Sequence, residues 1–300
     1  MTQGTANGGF APQGMLLLLA ATFLWGSGNV AQKAILEVAG PFTVLSLRAL
    51  LALVILLPLA FVEKRRAPRK AAKAGFWIVC ATLSFTMALL LQMFGATETS
   101  ATNLGFLINT SAVFAPMAAW LLFKEAPKAI VWISALLVLA GAAALSGGQL
   151  TDINRGDALC LLSGLFYGIW IVSLGRALER EGNAAALTLL QYLPCAVAGF
   201  GMALMTETID LRALATVLPE LLYLGIFATG LSFFLAAEAQ KRVPSPVCAV
   251  GYSLEAVFGA ICAAIFLGEA MTILALAGAL TMLLGLAILQ WPMRLARAAR

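Results

Sequence analysis

Hydrophobic positions in this chain do not alternate with polar ones as on a strand, nor form one stripe as on a surface helix. They run in blocks of roughly twenty residues, separated by short clusters of Gly, Pro and charge. A block of that length matches the ~30 Å hydrocarbon core of a bilayer. Cut at the Gly, Pro and charge clusters, the pattern predicts about ten helices: 14–34, 41–62, 74–95, 99–123, 127–147, 156–176, 184–205, 217–240, 244–267 and 271–291. The expected fold class is an all-α integral membrane protein. No Lys or Arg precedes Lys33, so the apolar run from Met15 to Trp25 lacks the basic leader of a signal peptide and reads as the start of the first span. Residues 1–13 and 292–300 read as an uncharged and a basic tail.

Composition narrows the class. Of the 300 residues, 62% are hydrophobic and 11% charged, and mean hydropathy is +0.96, against near half apolar and a quarter charged in a soluble domain. Histidine is absent, which removes a Ser-His-Asp triad, a Cys-His pair and any His-ligated zinc. Cys80, Cys160, Cys195, Cys248 and Cys262 are scattered through apolar runs and read as small packing residues. No metal or cofactor is expected. The chain has no phosphate-binding Gly-x4-Gly-Lys-Ser/Thr loop, so transport, if that is the activity, draws on a gradient or on the substrate itself.

The 19 Lys and Arg residues are unevenly placed. With the N-terminus inside, fifteen fall on cytoplasmic segments, Lys33, Arg155 and Arg212 fall on the other side, and Arg48 lies within the second span. Because short Lys/Arg-rich loops stay inside, both termini are expected in the cytoplasm of a multi-pass protein of the cell membrane, the inner membrane of a bacterium. The net charge of +5 then faces anionic lipid and not nucleic acid.

A shift of 144 residues superimposes part of the chain on itself. Ala112-Val113-Phe114 falls on Ala256-Val257-Phe258, Glu125-Ala126 on Glu269-Ala270, and Gly141 on Gly285. A weaker match at 142 pairs Gly14 with Gly156. Each copy holds five spans, so the second enters the membrane from the opposite side: the expected repeats, 14–148 and 156–291, are inverted. Inverted repeats are the architecture of secondary transporters, with the site between the halves near the midplane; a duplication kept only for packing is the other reading.

Trp25-Gly26-Ser27-Gly28-Asn29 with Lys33, Arg48, Gly156-Asp157, and Leu254-Glu255-Ala256-Val257-Phe258 followed by Leu267-Gly268-Glu269 resemble the duplicated EamA domains of the drug/metabolite transporter superfamily, over residues 14 to 291. That resemblance implies a ten-helix carrier of small organic metabolites, similar to the YddG-type aromatic amino acid exporters. The family usually has proline after the ninth-helix glutamate; here Ala256 stands there, while Pro116 sits in the matching helix of the first half.

Charge at the bilayer centre costs at least ~2.5 to 3.5 kcal/mol, so the few residues that carry it are the first candidates. Glu255 lies about 14 to 17 Å into the ninth helix and is expected to couple a proton or to form a structural ion pair with Arg48. Arg48, about 10 Å into the second helix, takes either a substrate carboxylate or a carboxylate of the protein. Trp25, Ser27 and Asn29 stand where two glycines are expected to loosen or break the first helix and expose backbone; close packing through small residues is the alternative. In the sixth helix Gly164 and Gly168 form one face, and Phe166, Tyr167 and Trp170 the other, a patch suited to stacking or to packing. Tyr252 shares a face with Glu255, and Gln92 and Asn109 are further mid-membrane polar groups.

The function expected is a secondary transporter exporting small organic metabolites, foremost amino acids, aromatic ones included, by alternating access, proton-linked or facilitative. A nucleotide-sugar or drug-like metabolite carrier of the same fold is the alternative, and a membrane-embedded enzyme a remote one. The expected partners are a small-molecule substrate and lipid, with no nucleic acid, and the expected state is a monomer.

Overall fold

The computed structural model describes residues 12–66, 74–124, 126–147 and 154–298. Most of the expected N-terminal tail, most of the basic segment 64–73, and Glu125 lie outside the described residues. Among the described residues there is no strand. The helices are α1 (Pro12–Leu36), α2 (Pro41–Arg66), α3 (Gly75–Ala96), α4 (Ala101–Asn109), α5 (Ser111–Phe123), α6 (Ala129–Leu145), α7 (Arg155–Glu181), α8 (Ala184–Thr206), α9 (Leu211–Thr216) and α10 (Leu218–Leu222), then a π-helical stretch Tyr223–Leu231, then α11 (Ser232–Gln240), α12 (Ser245–Tyr252), α13 (Leu254–Phe266) and α14 (Ile273–Ala298). Among the described residues eight spans are long and apolar enough to cross a membrane, and Ala129–Leu145 and Ile273–Leu289 are shorter apolar helices. Together they make ten spans, in which α4 with α5, α10 through α11, and α12 with α13 each act as one.

The two halves are inverted five-span repeats, and their symmetry shows in places where no sequence identity does. The fourth span breaks at Thr110 and the ninth at Ser253, 143 residues later. Neither break is made by proline. Pro116 lies inside α5 and Ala256 inside α13, so the missing ninth-helix proline leaves the bend in place. The Thr110 hydroxyl bonds back to Leu107 O at 2.5 Å, an alternative to the backbone ladder of the kind that ends helices.

Between helices in lipid there is no hydrophobic drive, so close approach of small residues carries the packing. At the crossing of α6 and α14, a Cβ on Gly141 would stand 2.6 Å from Gly278 O. Across the halves, α2 packs along α8, α3 along α7, and α1 along α13. The ends of α2 and α8 are tied reciprocally. Glu63, near the end of α2, accepts the Ala185 N–H at 2.7 Å at the start of α8. Glu207, just after α8, accepts the N–H groups of Phe42 and Thr43 at 2.8 and 2.9 Å at the start of α2. A carboxylate at a helix N-terminus meets unpaired N–H groups and the positive end of the dipole, so each helix is capped by the other's far end.

Candidate functional site

An even number of spans puts residues 12 and 298 on one side of the membrane, here the terminal side. Across the middle lies a layer of rings from six spans: Trp25 of α1, Phe85 of α3, Trp170 of α7, Tyr192 of α8, Phe233 of α11 and Tyr252 of α12. Phe85 is its hub, with ring centroids 5.1 Å from Trp170, 5.2 Å from Tyr192 and 5.4 Å from Phe233. Trp25 joins at 4.7 Å from Phe233 and 5.1 Å from Tyr252. Trp25, Phe85, Trp170, Tyr192 and Tyr252 are all buried. The Trp170 indole donates to Gln191 Oε1 at 2.5 Å and the Tyr252 hydroxyl to Ala236 O at 3.2 Å. Trp25 Nε1 and Tyr192 Oη are buried without a partner.

Polar side chains collect on the far side of this layer. In five spans the polar residue lies one or two turns further from the terminal side than the ring: Asn29 beyond Trp25, Gln92 beyond Phe85, Tyr167 beyond Trp170, Thr229 beyond Phe233, and Glu255 beyond Tyr252. Ser27, Asn29, Gln32, Arg48, Gln92, Tyr167 and Glu255 keep accessible surface, whereas five of the six rings beneath them are buried and Phe233 is half-buried. These polar side chains gather in the far half of the membrane.

Arg48 and Glu255 both belong to this polar group, but they do not form the ion pair the sequence suggests. Arg48 donates from Nε to the Thr229 hydroxyl at 2.9 Å and from Nη1 to Gln32 Oε1 at 2.8 Å. Glu255 accepts from Asn29 Nδ2 at 3.3 Å. The physical reason is α1: Asn29 and Gln32 are one turn apart on the same helical face and hold one charge each.

The expected break in the first helix is absent as well. α1 is continuous from Pro12 to Leu36, and its glycines serve packing, because a Cβ on Gly26 would stand 2.5 Å from Gly259 N and 2.7 Å from Glu255 O. That close approach carries α1 past Glu255. Ser27 meets the Tyr223 hydroxyl at 2.7 Å, and Tyr167 donates to Gln92 Oε1 at 2.6 Å. Asn109 bonds within α4, to Gly105 O at 2.7 Å, and is not joined to the group. Gly164 and Gly168 seat α7 against Leu107 and Phe114, while Tyr167 and Trp170 turn inward.

Gln32, Thr229 and Tyr223 were missed by sequence reasoning. Gln32 carries a readable signal, an amide three residues after Asn29 on one face. Thr229 and Tyr223 carry none, because their placement depends on the π-helical stretch, a local widening often found at functional sites.

The comparisons agree with this architecture. The chain matches the EamA-like transporter family over residues 12–147 and 154–291. An uncharacterized transporter of Archaeoglobus fulgidus is 30% identical over 287 residues, covering 95% of this chain and 88% of that one. One from Methanothermobacter thermautotrophicus is 24% identical over 299 residues, covering 93% and 86%, and a WAT1-related protein of Arabidopsis thaliana is 25% identical over 151 residues, covering 49% and 42%. A solved crystal structure shares the fold at 14% identity, with TM-score 0.77, covering 94% of this chain and 97% of that one. With both halves matched and the fold in place, the chain belongs to the EamA-like transporter family and is a multi-pass membrane transporter.

Proposed function

We propose that this transporter is a secondary carrier that exports small organic metabolites, amino acids with the aromatic ones included, by alternating access between its inverted repeats. One observation carries the reading: a polar group holding both Arg48 and Glu255 at the junction of the halves, set on one side of a ring layer to which both halves contribute. Such a layer is a barrier that a second arrangement of the halves must open. The orphaned Trp25 Nε1 and Tyr192 Oη support this, since a buried unmade hydrogen bond costs about 1–3 kcal/mol that a second arrangement or a substrate can recover. The basic bias of the terminal-side segments supports a cytoplasmic terminal side in a bacterial inner membrane. Glu255 serves proton coupling in this scheme.

The test is counterflow in proteoliposomes against a panel of labelled amino acids, with and without an imposed pH gradient. Saturable counterflow of at least one amino acid, aromatic ones among the best, is the expected result. Absence of flux for every amino acid overturns the substrate reading. Flux insensitive to the gradient in the wild type, or unchanged gradient dependence in Glu255→Gln, overturns the coupling role.

A further inference from the structure

Packing between the spans does not follow the boundary between the repeats. α7, the first span of the second repeat, lies along α3 and seats α4 and α5, all of the first repeat. Polar groups fasten its start there. The buried Asp157 carboxylate accepts from Asn103 Nδ2 at 3.0 Å and from the Thr99 hydroxyl, and the Asn154 amide donates to Glu98 O at 3.0 Å. Gly156 lets the helix close on the turn after α3, where a Cβ would stand 2.8 Å from Thr99 N. A buried carboxylate with these bonds made is costly to pull away from its partners. α1 does the same in the inverted sense, lying along α11 and α13 of the second repeat. A Cβ on Gly14, the register mate of Gly156, would stand 2.8 Å from Val243 Cγ2 on the turn after α11, and one on Gly26 would stand 2.5 Å from Gly259 N.

These two bodies meet unequally on the two sides of the membrane. In the terminal half α12 packs on α5 and α7, and a Cβ on Gly175 of α7 would stand 3.4 Å from Ser245 Cβ of α12. The repeat relation carries α5 and α12 onto α13 and α4, which lie in the far half. Among the described residues no comparable packing joins α4 to α13. Of two contacts related by the repeat, one is made and the other is not.

We propose that the moving bodies of this carrier are not its repeats, and that each body takes one helix from the other repeat: α3, α4 and α5 move with α7, and α11, α12 and α13 move with α1. Asp157 is the fastening that makes α7 travel with the first repeat's hairpin. The second arrangement breaks the contact of α12 with α5 and α7 and makes the missing one between α4 and α13. Exchange of one packed face for its mate is how rigid bodies switch between two discrete states. The inference rests on the carrier reading above and adds which helices move together.

The experiment places disulfides in full-length protein and reads counterflow of labelled phenylalanine, or of whichever amino acid gives the largest flux, in proteoliposomes. One pair, Glu98→Cys with Gly156→Cys, links the two repeats inside one body; a Cβ on Gly156 would stand 2.8 Å from Glu98 Cβ. The other, Gly175→Cys with Ser245→Cys, lies within the second repeat and links the two bodies. Each bond is confirmed by peptide mass, and each reduced variant is its own control. The oxidised 98/156 pair is expected to keep its flux, and the oxidised 175/245 pair to lose it and regain it with dithiothreitol. If the repeats themselves were the moving bodies, these outcomes would exchange. That exchange, loss in both pairs or retention in both overturns the inference.

Should either pair fail to fold, spin labels at the exposed positions 98, 155 and 269 decide it, with distances read over a range of pH and with the amino acid added. The distance from 98 to 155 is expected to stay fixed while that from 98 to 269 shortens. A 98 to 155 distance that changes as much, or a 98 to 269 distance that never shortens, overturns the inference. Absence of counterflow by folded, reduced protein overturns the substrate reading above, and the distances then decide this inference alone.

Discussion

The two ends of the α2–α8 pair are built on the same device and finished differently. At the far side the Glu207 carboxylate takes two backbone N–H groups and the Thr43 hydroxyl, at 2.8, 2.9 and 2.7 Å. At the terminal side Glu63 takes one backbone N–H and also the Lys241 ammonium at 2.9 Å, which in turn meets Glu238, itself bonded to Arg242 at 2.7 Å. In the proposed alternation the α2–α8 pair, tied at both ends, serves as the fixed axis. The charged extension from Glu63 to the end of α11 exists on one side alone. It lies on the terminal side of the ring layer and, in the proposed alternation, adds a second closure there.

The largest effect is expected at the layer. Phe85→Ala removes the hub ring, with a stability loss of about 3–5 kcal/mol for a buried Phe truncation, read as a large drop in melting temperature in detergent. It also opens the floor of the space. Cys248, fully buried on the terminal side of Tyr252, is expected to react with an impermeant thiol reagent added at the far side of oriented vesicles, where the wild type does not. Loss of stability without new labelling would show that the layer is not what separates the two sides.

How much of this was legible beforehand follows from what each feature depends on. The spans depend on local apolar runs, and the ten expected segments overlap the ten observed. The inversion depends on an odd span count and a repeat, both present in the letters: Ala112-Val113-Phe114 and Ala256-Val257-Phe258 open α5 and α13, the second parts of the two broken spans. Trp170, Tyr252 and Trp25 were chosen as aromatic groups at mid-depth, and the structure gathers all three. What was not legible depends on three-dimensional neighbours. Scarcity of charge singles out Glu255 and Arg48, but their separation is decided by α1 amides and by Thr229, which a π-helical stretch turns toward Arg48. Gly26 and Gly28 read equally as a loosened helix or as close packing, and they serve close packing, since composition alone does not tell a loosened helix from one pressed against a neighbour. The reciprocal carboxylate caps were invisible for the same reason: Glu63 and Glu207 stand 144 residues apart in register, yet each finds its partners in the opposite half.

Smaller effects separate the two ends of the axis. Glu207→Gln weakens three hydrogen bonds to a charged acceptor at a helix N-terminus and is expected to cost about 1–3 kcal/mol, seen as a lowered melting temperature with little change in which side is open. Lys241→Met is expected to cost no more than about 1 kcal/mol in stability, the scale of a partly exposed pair. It should nonetheless raise labelling of Cys248 from the terminal side several-fold, because it removes a closure present only there. Equal labelling changes in the two variants would erase the distinction between axis and closure.

The smallest effects test the comparison at the outer rims. Lys33, at the end of α1, reaches Glu269 across the halves at 2.7 Å, and both side chains are more than half exposed. Its register mate 143 residues on is Arg176, whose side chain is 21% exposed, bonded to Glu179 at 3.1 Å, with its guanidinium 4.2 Å from the centre of the Phe123 ring. Water and salt screen the far-side pair, whereas the terminal-side cation lies partly under protein and on an aromatic face, an arrangement that contributes about 0.5–1 kcal/mol. Lys33→Met is therefore expected to leave melting temperature and transport unchanged at moderate ionic strength, and Arg176→Met to lower the melting temperature by a small, measurable amount. A reversed order would mean that the far rim carries the stronger tie, and the terminal side would lose its standing as the more firmly closed face.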